Sequence, residues 1–431
     1  MNLNDSEIAS AILADAGYYM TGDIEQADVI FLNTCSVREH AEDRVLRRLE
    51  NLSRYRKSNN NLVVGVLGCM AERMKEKLIE MRSIVSLVVG PDEYRRLPQL
   101  IDEALRAERG IAVKLSRSEI YEDILPLRAD GISAWLSIMR GCNNFCSYCV
   151  VPYTRGRERS RNSDSLLREI ELLDIKNYKE ITLLGQNVNS YECPETGMHF
   201  AGLLGRAAET APGIRFRYTT SHPKDLTDEL AAVMARHDNI CNHIHLPVQS
   251  GSDRVLDAMN RGYTRDHYLG RVDELRRQMP GCAISTDIIA GYPGETEDDH
   301  RATIALMKNV RYDGAFMFRY SPREGTKAYK LVDDVPEGTK LRRLNEIIDL
   351  QNSISAEINR SERGKVHEIL VEGPSKRNPE EFSGRTGTNK IVIFPNPDQI
   401  YQRGDIVEAE ITRSTSATLF GKILRNKEIS P

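Results

Sequence analysis

No apolar run in this sequence is long enough to cross a bilayer. The longest, such as Leu62 to Leu67, fall far short of the roughly 20 residues a spanning helix needs. The N-terminus has no basic region followed by an apolar block and a small-residue cleavage site. A cytoplasmic protein with no membrane partner is the expectation. Also missing is any basic excess: the net charge is −4, so a nucleic-acid contact must come from local patches. There are no solenoid-type repeats and no low-complexity tract. What is present is 431 residues, 40 % hydrophobic and 28 % charged, which is globular and too long for one core. The eight cysteines of a cytosolic chain point to metal or redox chemistry rather than disulfides.

Residues 1–110 alternate helix and strand. Asn4 to Glu7 resembles a capping box opening a helix that runs to about Ala16. Asp28 to Leu32, Leu62 to Leu67 and Val85 to Val89 read as strands, with helices at Arg38 to Leu52, Ala71 to Met81 and Glu93 to about Arg106. Apolar strands separated by helices predict a Rossmann- or flavodoxin-like parallel sheet covered on both faces. A polar connection from about Ala107 to Gly131 leads to a second series over 128–360. Its strands are Trp135 to Met139, Glu180 to Leu184, Arg215 to Thr219, Asn242 to Leu246, Ala283 to Ile289 and Gly314 to Tyr320. About six βα units predict a partial (β/α) TIM-type barrel with its site at the C-terminal strand ends. After a helix at Leu341 to Arg363, residues 362–425 carry short strands at Val366 to Val371, Gly384 to Phe394, Asp405 to Thr412 and Thr418 to Leu424. These predict a small β-barrel. The fold class is thus α/β with a β-barrel appended.

Three of the cysteines lie within eight residues, Cys142, Cys146 and Cys149, directly after a predicted strand. Thiolates are the natural ligands of iron–sulfur clusters, and close spacing lets three converge on one. A structural zinc site wants a fourth ligand, and the nearest candidate, Cys193, is far along the chain. This CxxxCxxC loop resembles the radical S-adenosylmethionine superfamily. The resemblance implies a 4Fe–4S cluster with one open iron that chelates S-adenosylmethionine, and it places Tyr148 beside the adenine. Cys193, Cys241 and Cys282 lack partner spacing and read as buried thiols.

Cys35 and Cys69 each stand just past a predicted strand, so in an open parallel sheet they face one crevice. Asn33-Thr-Cys-Ser-Val-Arg38, Gly68-Cys-Met-Ala-Glu-Arg73 and Gly141 through Arg161 together resemble the methylthiotransferases. His245 to Ser252, Ser285 to Glu295 and Tyr320 to Gly325 extend the likeness nearly end to end. It implies a methylthio group added to carbon-2 of an N(6)-isopentenyladenosine beside the anticodon of tRNA. It further implies a second, auxiliary 4Fe–4S cluster, a flavodoxin- or ferredoxin-type reductant and a sulfur carrier, and a monomer is expected. Cys35 and Cys69 match two of the auxiliary ligands, and the third belongs just upstream of Met1. Either the reading frame continues upstream, the expected case, or a shortened chain holds that cluster with two thiolates. The nearest rivals keep the chemistry but act on threonylcarbamoyl-adenosine of tRNA or on a ribosomal-protein aspartate. Ser36-Val-Arg38 and Leu67-Gly-Cys-Met70 favour the isopentenyl branch. A rival of another class is an RNA-binding protein with a structural metal site.

Arg155, Arg157, Arg159 and Arg161 alternate with other residues, which in an extended segment makes a one-sided ridge for tRNA phosphates. Gly185, Gln186 and the segment Ser285 to Glu295 are strand ends where the resemblance implies S-adenosylmethionine. His222, His243 and His245 lack a carboxylate or cysteine to complete a metal set, so hydrogen-bonded roles are expected. The last barrel resembles the TRAM domain, an RNA-binding module, with Lys390, Phe394, Arg413 and Phe420 as candidate contacts.

Overall fold

The computed structural model describes residues 1–36, 39–106, 108–128 and 131–426. Its first helix is Asn2–Asp15. Asn4 does not cap it: it lies inside the helix, and its Nδ2 donates to the Trp135 carbonyl at 3.1 Å. A parallel sheet follows in the order β1 (Val29–Thr34), β2 (Val63–Gly68), β3 (Leu87–Val89) and β4 (Gly110–Ala112). Alternate residues point to opposite faces. Val63, Leu67, Leu87 and Val89 pack with Ile8, Leu97 and Ile101 on one side. Val64, Val66 and Val88 pack with Leu49, Leu52, Met70 and Leu78 on the other. The sheet is covered on both faces, as the apolar runs predicted.

Three local readings change. The helix expected over Ala71 to Met81 is two, Cys69–Met74 and Glu76–Met81, broken at Lys75, whose φ is +49°. The stretch expected to be a polar connection supplies β4, and its Tyr121 joins the core of the first sheet. The helix expected to open at Arg38 runs Glu39–Arg56, and Arg38 itself is outside the described residues.

β5 (Ser133–Ser137) begins the second unit. β6 (Met139–Arg140) and β7 (Arg159–Ser160) then pair antiparallel and pinch the base of the segment carrying the three cysteines. β8 (Glu180–Leu184) and β9 (Arg215–Thr219) extend the sheet from β5. β10 (His243–His245), β11 (Ala283–Ala290) and β12 (Gly314–Arg319) form its continuation, joined through a Phe216–Ile240 bridge. All these neighbours are parallel. Six strands make an arc that stays open between β5 and β12, and Phe316 on β12 is 53 % exposed.

A helix, Glu337–Arg360, leads to the closed barrel β13 (Val366–Pro374), β14 (Glu381–Thr386), β15 (Ile391–Pro395), β16 (Ile406–Ser414) and β17 (Leu419–Asn426). The single strand expected over Gly384 to Phe394 is two, because the chain turns at 387–390. That turn reaches under the six-stranded arc. Arg217 donates to the Thr386 and Gly387 carbonyls at 2.7 and 3.2 Å, and Arg215 to the Arg385 carbonyl at 3.1 Å. Glu180 Oε2 accepts from Arg215 at 3.2 Å and from Arg217 at 2.7 Å. Lys390 Nζ bonds Asp313 at 2.8 Å and Asn359 at 3.0 Å. Glu180 and Arg215 open their strands and Asp313 immediately precedes β12, so the last barrel closes the N-terminal end of the arc.

Candidate active site

Cys142, Cys146 and Cys149 sit at the other end of the arc on one tightly tied loop. Gly141 holds φ +80°, and a Cβ there would stand 2.0 Å from the Arg157 carbonyl oxygen, so only glycine fits. Its N–H donates to Gln186 Oε1 at 2.5 Å, which joins the loop to the end of β8. Cys142 N–H donates to the Gly156 carbonyl at 3.1 Å, and Cys149 N–H to the Cys146 carbonyl at 2.9 Å. Ser147 meets the Tyr292 hydroxyl at 2.7 Å and donates to the Ala258 carbonyl at 2.9 Å. Asn260 donates to the carbonyls of Asn144 and Phe145, both at 3.1 Å.

Arg261 is a residue that sequence reasoning missed. It is buried, and Nη1 lies 3.3 Å from Cys146 Sγ and 3.4 Å from the Tyr148 hydroxyl. Its other nitrogens donate to the Pro247 carbonyl and the Tyr263 hydroxyl. No spacing marks it, because its partners come from distant segments. Burial pushes the Cys142 thiol up to about 11 and the Cys149 thiol up to about 12. Among the described residues, no three His, Cys, Asp or Glu side chains converge on one ion as zinc requires. A four-iron cluster carries its thiolates on separate irons, which suits three sulfurs spread along one loop.

Beside the loop, the strand ends hold buried polar atoms without partners among the described residues. They are Asn187 Oδ1, both amide atoms of Asn189, Ser221 Oγ and His222 Nε2. Such atoms are costly unless a polar ligand meets them, and S-adenosylmethionine carries the required amine, carboxylate and ribose groups. Burial, with Arg261 and Lys224 nearby, holds His222 down to about 2, so it is neutral. Gly185 is not an open cradle: a Cβ there would meet Met139 Cγ at 2.6 Å, so this glycine serves packing. His243 Nε2 and His245 Nδ1 share Ser285 Oγ at 3.0 and 3.1 Å, the hydrogen-bonded role expected of them. Cys193, Cys241 and Cys282 are buried as expected.

In the first sheet, Thr34 and Gly68 are register partners, so Cys35 and Cys69 follow at neighbouring strand ends. Arg73 binds Ser36 at 2.7 Å and Glu42 at 2.6 Å, which ties the two cysteine-bearing turns together.

The arginine ridge is corrected. Arg155, Arg159 and Arg161 turn inward: Arg155 Nη2 pairs with Asp5 at 2.5 Å, Arg159 Nη2 with Asp92 at 3.0 and 3.1 Å, and Arg161 Nη1 with Glu169 at 2.9 Å. Their spacing does place them on one side, but that side faces the first domain and the barrel. Arg157 alone is exposed, 4.3 Å above the Phe145 ring. In the last barrel Phe394 is core, Lys390 is spent on Asp313 and Asn359, and Arg413 stacks 3.5 Å over Phe420.

The arrangement is that of a radical S-adenosylmethionine protein in three parts. Residues 136–307 match the Radical SAM superfamily, 1–90 the Uncharacterized protein family UPF0004, and 360–424 the TRAM domain. A tRNA-2-methylthio-N(6)-dimethylallyladenosine synthase of Chloroherpeton thalassium is 52 % identical, covering 98 % of this chain and 94 % of that protein. Proteins of the same name from Phocaeicola vulgatus and Porphyromonas gingivalis are 53 % and 52 % identical, each covering 98 % of this chain and 93 % of its own length. The chain belongs to the tRNA-2-methylthio-N(6)-dimethylallyladenosine synthase family. Among solved structures, the radical S-adenosylmethionine methyltransferase TsrM of Kitasatospora setae shares the fold. It has a TM-score of 0.55 and 16 % identity, covering 73 % of this chain and 69 % of that one. The cobalamin-dependent enzyme OxsB has a TM-score of 0.53 and 15 % identity, covering 81 % and 53 %.

Proposed function

We propose that this enzyme replaces the hydrogen on carbon-2 of N(6)-isopentenyladenosine, next to the anticodon of tRNA, with a methylthio group. The observation that carries the reading is the loop of three thiols at the mouth of an open six-stranded barrel, in a chain collinear with its named relatives. Cys142, Cys146 and Cys149 would hold a 4Fe–4S cluster, which supplies the electron for reductive cleavage of S-adenosylmethionine to a 5′-deoxyadenosyl radical. The chain's own residues bind and orient. Tyr148 lies at the cluster loop, and Asn187, Asn189, Ser221 and His222 offer unpaired atoms to the bound S-adenosylmethionine. Arg261 fixes Cys146 from behind.

Cys35 and Cys69 would supply two of the thiolates of a second, auxiliary cluster as the source of sulfur. Two thiols stand at neighbouring strand ends, and the buried Arg155 Nη1 has no partner among the described residues. The RNA would meet the exposed Arg157 and Tyr153 at the rim, where a loop base can be splayed into the mouth. The setting is the cytoplasm. The enzyme acts as a monomer with a flavodoxin- or ferredoxin-type reductant and a sulfur carrier.

The test is anaerobic reconstitution followed by reaction with an isopentenylated anticodon stem-loop and, in parallel, a threonylcarbamoylated one. The expected result is methylthiolation of the first only, and loss of 5′-deoxyadenosine in Cys142→Ala, Cys146→Ala or Cys149→Ala. Modification of the second RNA alone, or undiminished 5′-deoxyadenosine in those variants, overturns the reading.

A further inference from the structure

Arg261 stands apart from the other buried arginines. Among the described residues each of those pairs with an aspartate or glutamate side chain, as Arg140 does with Asp5 and Arg343 with Glu295. Arg261 is 4 % exposed. Its partners are the Pro247 carbonyl at 2.7 Å, the Tyr263 and Tyr148 hydroxyls at 3.1 and 3.4 Å, and Cys146 Sγ at 3.3 Å. No carboxylate is among them. A buried charge persists where an opposite charge meets it. Of these four groups, the cysteine sulfur is the one that becomes an anion on binding metal.

The guanidinium is held in place relative to the loop. It follows the short helix Asp253–Ala258, and the turn after that helix grips the cysteine segment. The Ala258 carbonyl accepts from the Ser147 hydroxyl at 2.9 Å, and the Met259 carbonyl accepts from the Ser147 N–H at 2.9 Å. Asn260, at φ +56°, donates to the Asn144 and Phe145 carbonyls at 3.1 Å. Arg261 is the next residue, and its N–H donates to the Leu256 carbonyl at 3.0 Å. Its Nη2 is anchored on Pro247, two residues past the end of β10, which leaves Nη1 to face Cys146 and Tyr148.

We propose that Arg261 is the counter-ion of the Cys146 thiolate, donating to it through Nη1 when the three-thiol loop carries its cluster. This rests on the reading of Cys142, Cys146 and Cys149 given above. Arg261 meets a ligand rather than the substrate, so it is a positioning residue with an electrostatic duty. A cation hydrogen-bonded to a cluster sulfur favours the reduced, more negative state and raises the potential. The same nitrogen lies against the Tyr148 hydroxyl, so it sets ring and sulfur at a fixed spacing. The turn that holds the loop's backbone thereby also compensates its charge.

The test uses the full chain carrying Cys35→Ala and Cys69→Ala as parent, so that reconstituted iron reports the three-thiol loop alone. Arg261→Met and Arg261→Gln remove the charge, the second keeping an amide donor, and Arg261→Lys keeps it. Iron content and the midpoint potential, followed by electron paramagnetic resonance without S-adenosylmethionine, are the readouts. The parent should hold about four irons per chain. Arg261→Met should shift the reduction equilibrium toward the oxidised state by at least about tenfold, which is about 59 mV for one electron. Arg261→Gln should shift it in the same direction, and Arg261→Lys should stay closer to the parent. Loading lost in both neutral variants but kept in Arg261→Lys supports the same duty. A parental potential in Arg261→Met, or in Arg261→Gln where the methionine variant does not load, overturns the counter-ion role and leaves the three-thiol reading standing. So does loading lost in all three variants. A parent chain that binds no iron overturns the three-thiol reading, and the inference falls with it.

Discussion

Replacing Asp5 by Asn should loosen the first domain from the barrel more than any surface change could. The carboxylate is fully buried and bonds Arg140 at 3.0 Å and Arg155 at 2.5 Å, both nearly inaccessible to water. Removing one member of a buried ion pair costs about 3–5 kcal/mol, because the partner charge stays behind. With a urea slope of about 2 kcal/mol/M, the transition that separates the domains moves down by about 1.5–2.5 M. The reporter is built in: the chain has one tryptophan, Trp135, and its carbonyl accepts from Asn4 one residue away from Asp5. Its fluorescence should follow the loss of this contact. The pH dependence has a definite sign. Burial acts to raise the Asp5 pKa, but Arg155 and Arg140 outweigh it and hold the carboxyl below the ordinary value. Its contribution is therefore fully present above about pH 4, the unfolded value, and is lost as pH falls through the lower folded one. Wild-type and Asp5→Asn curves should lie apart at neutral pH and converge in acid. A midpoint shift under about 0.3 M at neutral pH would refute the placement of Asp5 at the junction.

Three further outcomes are expected. Arg157→Ala should weaken tRNA binding and reduce its salt slope by about one, whereas Arg159→Ala should cost about 3–5 kcal/mol of stability through Asp92; equal RNA-binding defects without a stability difference would restore the ridge. Because burial pushes Cys142 up to about 11 and Cys149 up to about 12, cluster assembly must release protons and should become more favourable from about pH 7 to 9; a reconstitution yield that is flat or falling over that range argues otherwise. Truncation after residue 362 removes the carbonyls that accept from Arg215 and Arg217, so it should cost at least about 3 kcal/mol and lower the barrel's melting temperature by about 6–12 °C. An unchanged melt would mean that the last domain is merely tethered.

Much of the barrel was legible because β8 and β9 are short runs bounded by turn residues, and the strands observed there match the expected bounds at both ends. The cysteine loop was legible because all three thiols share one turn of chain. Features built from distant partners were not. Arg155 meets an aspartate 150 positions away and Arg159 one 67 away, so even spacing disclosed a common side but not the direction it faces. Arg261 reaches Cys146 across 115 positions. β4 has only three residues, too few for any alternation to register. The break at Lys75 leaves no proline or glycine as a sign.

The turn that closes the barrel's lower end also sets a ruler for the substrate. The cysteine loop and the small β-barrel lie at opposite ends of strands as long as the eight residues of β11. At about 3.3 Å per residue, that is a separation on the order of 25 Å. A free nucleoside placed in the mouth could never touch the far end. A molecule in contact with both the mouth and the small β-barrel has to run the length of the arc.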